Sequence, residues 1–131
     1  MSKTTLLCPC ESGKAYKACC EPYHQGIAAP NAEKLMRSRY TAYVLKLEDY
    51  LLATWHANTR PATLNLAYNP PMQWLGLLVK RFENTSATTA LVEFVARYKV
   101  AGKAERLHEV SQFMVENNRW FYVTGQVKKH T

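Results

Sequence analysis

No apolar run in the 131-residue chain approaches the roughly 18 residues needed to cross a bilayer, so no membrane-spanning helix is expected. The opening MSKTTLLCPC has one lysine and two leucines before it turns to cysteine and proline, too little for the apolar segment of a secretory signal. Glycine is scarce, and none of the five residues falls in a phosphate-binding loop. There is also no Ser-centred nucleophile elbow and no His-Glu-x-x-His helix; Leu107-His108-Glu109 lacks the second histidine. Repetitive or weakly hydrophobic tracts are missing, so little disorder is expected beyond the termini. These absences exclude the familiar nucleotide-binding, hydrolase and metalloprotease signatures. They point to a cytoplasmic chain with reduced thiols, where grouped cysteines more often bind metal than form disulfides.

What is present suffices for a single core: 47% of residues are apolar, and the length suits one domain with a short appendage. The net charge of +7 favours anionic partners. Its carriers are scattered as Lys14 and Lys17, Arg37 and Arg39, Lys80 and Arg81, Lys128 and Lys129, so specific nucleic-acid binding is the less favoured reading.

All four cysteines lie within thirteen positions, spaced C-x-C, eight residues, C-C. Thiolates are good zinc ligands, four of them complete a tetrahedron, and the complex carries a charge of about −2. Lys3, Lys14 and Lys17 are placed to offset that charge. Adjacent Cys19 and Cys20 pair poorly with each other, and one residue between Cys8 and Cys10 strains a bridge. One structural zinc on Cys8, Cys10, Cys19 and Cys20 is therefore expected, with redox-active or unliganded thiols as alternatives and His24 as the reserve ligand. Residues 1–28 form this irregular knuckle and residues 29–131 the domain proper.

Within the domain, Asn31 is a candidate N-cap, and Met36, Tyr40, Tyr43, Val44 and Leu47 recur at helical spacing from Ala32 to about Leu47. A shorter helix is expected from Glu48, carrying Leu51 and Trp55 and ending before Pro61, followed by a loop over 58–71. Four strands follow at 74–82, 90–100, 107–116 and 120–127, with turns at Ala101-Gly102-Lys103 and Asn117-Asn118. The order predicts an α+β domain with two helices on one face of a four-stranded antiparallel sheet.

The segment CPCESGKAYKACC resembles the SEC-C motif, the zinc-binding element at the C-terminus of the translocase ATPase SecA. Cys8, Cys10, Cys19 and Cys20 fall on its ligand positions; the departure is Glu11, where the motif usually has glycine. Through AEKLMRSRYTAYV, DYLLATWH and LHEVSQFMVENNRWFYVTG the chain also resembles the YchJ-like family of small bacterial proteins. That resemblance implies a SEC-C motif followed by an NTF2-like (cystatin-like) cone, a curved sheet wrapped around its helices.

Two functional readings follow. In the first, the knuckle presents Lys14, Tyr16, Lys17 and Tyr23 to an anionic protein or ribosomal partner, as an adaptor and not an enzyme. In the second, the cone is a small-molecule or catalytic pocket. Leu107, Glu109, Ser111, Phe113 and Val115 share one strand face, Arg39 on the first helix is placed to reach Glu109, and Trp55 and His56 lie near the mouth, with His108 assisting. The structural counterpart is an Arg39–Glu109 pair with satisfied histidines. Leu91, Val95, Phe121 and Val123 form an apolar sheet face suited to a homodimer.

Overall fold

The computed structural model describes residues 6–66 and 72–128. Among these, a 3-10 turn at Tyr16–Ala18 and a one-turn helix α1 (Glu21–His24) follow the first cysteines. Then come helices α2 (Ala32–Leu45) and α3 (Glu48–Ala53), and strands β1 (Met72–Asn84), β2 (Thr89–Val100), β3 (Lys103–Glu116) and β4 (Arg119–Val127). Lys3 and residues 67–71 of the expected loop lie outside the described residues.

Helix α2 starts where its cap predicts. The Asn31 backbone is extended and its side chain accepts a hydrogen bond from the Lys34 N–H at 2.8 Å, satisfying a donor that the first turn leaves open. The helix ends at Leu45, before the expected Leu47, because Lys46 turns left-handed at φ 61° and returns its N–H to the carbonyls of Ala42 and Tyr43.

Helix α3 is also shorter than its pattern suggests. Thr54 to His56 leave it to bond the edge of β4: the Tyr122 N–H donates to Thr54 O at 2.8 Å and the His56 N–H to Tyr122 O at 2.7 Å. A sheet edge offers unpaired donors and acceptors, and here it takes the backbone that would have continued the helix.

The strands form an antiparallel meander in the order β1-β2-β3-β4. Ala101 and Gly102 (φ 51° and 80°), like Asn117 and Asn118 (φ 51° and 63°), supply the two left-handed residues of tight hairpins. Two-residue turns let pairing run to the strand ends, so β3 begins at Lys103 instead of Leu107. Register shifts at Trp74/Gly76, Val79/Arg81 and Gln112/Phe113 bend the sheet around α2.

The core lies between α2 and the concave face, where Leu35, Met36 and Tyr40 meet Leu77, Val92, Phe94, Ala96 and Phe113. Cys8, Cys10 and Cys20 belong to that same cluster, and Ala42, Leu51 and Leu66 form a smaller one under α3. On the convex face, Val95 is only 9% exposed, since Leu78 and His108 flank it in the ladder, and Leu91, Phe121 and Val123 are half-buried. These side chains shield one another within the face, and Leu78 beside them stays 60% exposed. No described helix is long and apolar enough to cross a membrane.

Replacing Asn31 by alanine removes the α2 cap and is expected to lower unfolding free energy by about 1 kcal/mol. Denaturant titration of the Asn31→Ala variant checks this; an unchanged midpoint would mean another acceptor satisfies the Lys34 N–H.

Candidate metal centre and interior cavity

A short hairpin brings the first two cysteines together. Cys8 N–H donates to Lys14 O at 2.8 Å, Tyr16 N–H to Leu6 O at 2.9 Å, and Glu11 N–H closes the turn on Cys8 O at 3.1 Å. Glu11 sits at φ 62°, which explains why this position of the motif usually holds glycine: only glycine adopts that region without steric cost. Its carboxylate lies 3.3 Å from Arg97 on β2, an exposed pair worth about 1 kcal/mol or less. The 3-10 turn and α1 then deliver Cys19 and Cys20.

The four sulfurs all lie within 4.8 Å of one another, and all four cysteines are free thiols. Cys10 Sγ is 3.6 Å from Cys19 Sγ, which is 4.0 Å from Cys20 Sγ. A tetrahedron with metal–sulfur arms of about 2.3 Å has edges of about 3.8 Å, so the spacing fits a metal ion at the centre. Cys8, Cys10 and Cys20 are buried and Cys19 half-buried.

Without a cation, the thiols compete for protons. Hydrogen bonds from Cys20 and then Cys8 hold the Cys10 thiol far below its ordinary range, while Cys20 and Cys8 are pushed up, foremost by their contact with Cys10. Four neighbouring thiolates need a cation among them to coexist, and a dication supplies that charge.

Several residues outside the cysteines tie the cluster down. Ser12 Oγ is 3.1 Å from Cys19 Sγ. From α2, Thr41 Oγ1 donates to Cys20 Sγ at 3.4 Å and lies 3.6 Å from Cys8 Sγ, and Arg37 Nη1 donates to Cys10 O at 2.9 Å. Neither Thr41 nor Arg37 was among the residues expected at the site. The available signal was the pair of small polar residues Ser38 and Thr41 beside the apolar stripe of α2; both are fully buried.

His24 does not stand in reserve as a ligand. Its Nε2–H donates to Ser38 O at 2.8 Å, so Nδ1 is the acceptor for the Tyr16 hydroxyl at 2.8 Å, and both nitrogens are engaged. Burial pushes its pKa down, consistent with that neutral tautomer. The division at residue 28 thus separates motif from domain along the chain, while in space the two share a core.

Of the residues expected on the interaction face, Lys14 and Lys17 are exposed, whereas Tyr16 and Tyr23 are half-buried and pack towards the core. Leu6 and Leu7, 74% and 68% exposed, lie on the same hairpin, Leu7 bridging to Ala15.

The second region is a cavity of about 270 Å³ between α2 and the sheet, and Arg39, Glu109 and Ser111 all line it. Arg39 does not pair with Glu109. Its Nη1 donates to Leu51 O at 2.8 Å and to Thr54 Oγ1 at 2.7 Å, and its guanidinium lies 4.5 Å from the Tyr122 ring centre and 5.1 Å from that of Trp55. Glu109 instead accepts from Ser111 Oγ at 2.7 Å and from the Tyr122 hydroxyl, whose pKa is driven upward by burial first and by Glu109 second. Gly125 permits this arrangement, since a Cβ there would collide with the Glu109 carboxylate.

Trp55 and His56 do not line the cavity mouth. Trp55 packs edge-on against Tyr122 behind Arg39. His56 Nδ1 accepts from the Asn58 N–H at 3.1 Å, leaving Nε2–H to donate to Glu116 at 3.0 Å, away from the cavity. His108 faces outward and bonds Glu93 at 2.7 Å. The alternation that put Glu109 inside necessarily puts His108 outside.

Fold and cysteine cluster together define an NTF2-like domain that carries an N-terminal SEC-C motif. Residues 31–125 match the family described as YchJ, middle NTF2-like domain, and residues 5–22 match the SEC-C motif. The chain belongs to this YchJ-like family. A UPF0225 protein of Chromobacterium violaceum is 54% identical over 125 residues, with 92% of each chain covered. The solution structure of a SEC-C motif containing protein from Rhodopseudomonas palustris matches with a TM-score of 0.82 at 34% identity, over 93% of this chain and 98% of that one. The crystal structure of a sec-c motif containing protein from Psychrobacter arcticus matches at 0.74 and 30% identity, over 95% and 84%.

The Thr41→Val variant keeps shape and removes the hydroxyl; metal affinity, read by chelator competition, is expected to fall about tenfold. Unchanged affinity would reduce Thr41 to a space-filling role. His24→Phe is expected to lower the melting temperature while metal stoichiometry stays that of the parent. A lost equivalent of metal would place His24 in the ligand set.

Proposed function

We propose that the chain is a zinc-binding interaction protein, in which one structural zinc on Cys8, Cys10, Cys19 and Cys20 holds the knuckle as a contact surface for an anionic protein or ribosomal partner. The carrying observation is the sulfur cluster, whose 3.6 and 4.0 Å separations bracket a tetrahedral edge. An all-thiolate, four-ligand set suits zinc over hard cations, and it leaves no open position for substrate, which favours a structural over a catalytic metal.

The contact surface is supported by the exposed Leu6 and Leu7 beside exposed Lys14 and Lys17. Adjacent to Cys19 and Cys20, a small recess is lined by Lys14, Lys34 and Arg37. Exposed apolar side chains on the same hairpin as Lys14 fit a partner with an acidic, partly apolar face.

Elemental analysis of protein expressed without added metal is expected to return about one zinc per chain. Iron or no metal in its place would overturn the zinc assignment. Cys10→Ser should lower that content, and because three ligands lie in the common core, it should also lower the melting temperature of the whole domain.

Charge reversal tests the surface separately. Lys14→Glu with Lys17→Glu is expected to reduce co-sedimentation with purified bacterial ribosomes, and the parent's co-sedimentation should fade as salt rises. Co-sedimentation that ignores both the reversal and salt would remove the knuckle as the contact.

A further inference from the structure

The cavity behind α2 holds an unbalanced set of hydrogen-bonding groups. Arg39 is 4% exposed, yet among the described residues no carboxylate lies within ion-pair distance and nothing accepts from its Nε or Nη2. A buried cation without a counter-ion is costly. Glu109, the carboxylate on the same wall, is already engaged by Ser111 and Tyr122 and leaves Arg39 to other partners. Trp74, another wall residue, has a buried indole N–H with no acceptor. The Nε and Nη2 donors of Arg39 thus lack an acceptor on the cavity wall, and an anionic group reaching them would supply one.

We propose that this cavity is a binding site for a small organic monocarboxylate, whose anionic head is held by Arg39 and whose apolar body lies against Tyr40, Tyr43, Trp74 and Phe94. The guanidinium is fixed in advance: two hydrogen bonds from Nη1 anchor it to α3, and the Tyr122 and Trp55 rings hold its plane, so little ordering is needed when an anion arrives. Arginine presents paired N–H groups that match the two oxygens of a carboxylate. One cation facing one already engaged carboxylate suits a monoanion better than a phosphate dianion.

The walls set the rest of the ligand. Tyr40 and Tyr43 meet Trp74 with ring centres 5.8 and 6.0 Å apart, and Tyr98 closes on Trp74 from the far side at 5.6 Å. Such surfaces suit an aliphatic or aromatic body. The volume of about 270 Å³ lies just under the about 300–1,000 Å³ of pockets that take drug-sized ligands, which limits the occupant to a small acid.

The test uses the full chain labelled with ¹⁵N, titrated with the straight-chain acids from butyrate to octanoate, with phenylacetate, with their uncharged amides and with inorganic phosphate. At least one acid is expected to saturate with a Kd below about 1 mM and to move the Trp74 indole N–H resonance, its amide binding at least tenfold more weakly. Trp74→Phe, which keeps an aromatic wall, should weaken the acid about threefold or more, and Arg39→Lys should weaken it further. Should Arg39→Lys fail to fold, the acid–amide comparison and Trp74→Phe decide the matter. No response to any acid at about 10 mM, equal binding of acid and amide, or phosphate binding as tightly as the best acid would overturn the proposal.

Discussion

Four sulfurs held within 4.8 Å of one another cannot all be ionised in isolation. At about 4 Å, two unit charges repel by about 1 kcal/mol in water and about 4 kcal/mol at the effective dielectric of a protein surface. The hairpin, the 3-10 turn and the single turn of α1 are too short to oppose that repulsion by backbone hydrogen bonds alone. The knuckle therefore takes its shape from whatever neutralises the thiolates. Because Cys8, Cys10 and Cys20 are also core residues, that dependence passes into the domain beneath. A hydroxyl from Thr41 and a guanidinium from Arg37 make the connection polar as well as apolar.

Helix α2 divides its circumference between two tasks. Met36, Arg39, Tyr40 and Tyr43, at spacings of three and four, face the cavity. Arg37, Ser38 and Thr41 face the knuckle through Cys10, His24 and Cys20. Small side chains at Ser38 and Thr41, both fully buried, leave room for the knuckle on that side, while Ala42 packs under α3. Arg39 survives deep burial because aromatic faces and two oxygen acceptors surround its plane, which softens desolvation without neutralising the charge.

Much of this was legible in the sequence. The cysteine spacing pointed to one cluster, the periods of α2 and β2 to their inward faces, and the alternation of β3 to a carboxylate inside the cone. The misjudged features share a cause: each turns on which partner reaches the group first in three dimensions, which periodicity alone does not fix. Trp55 and His56 looked like the end of a helix, and only the exposed edge of β4, more than sixty residues on, draws them out of it. His24 looked like a spare ligand until Tyr16 and the Ser38 carbonyl occupied both its nitrogens. Arg39 and Glu109 looked like a pair, since opposite charges on facing elements usually are; Ser111, two positions along the same strand face, reaches the carboxylate first. Glu11 was the one visible local anomaly, and its left-handed backbone accounts for it.

The shared helix also limits how the chain can vary in length. Inserting one residue between Met36 and Thr41 would turn everything beyond it by about 100° about the helix axis. Thr41 would swing away from the sulfurs, and Tyr43 would leave the cavity wall. Either site alone could be repaired by compensating substitutions along one stripe, but both stripes would have to be redrawn together. Length changes should therefore collect outside α2, which keeps its residue count.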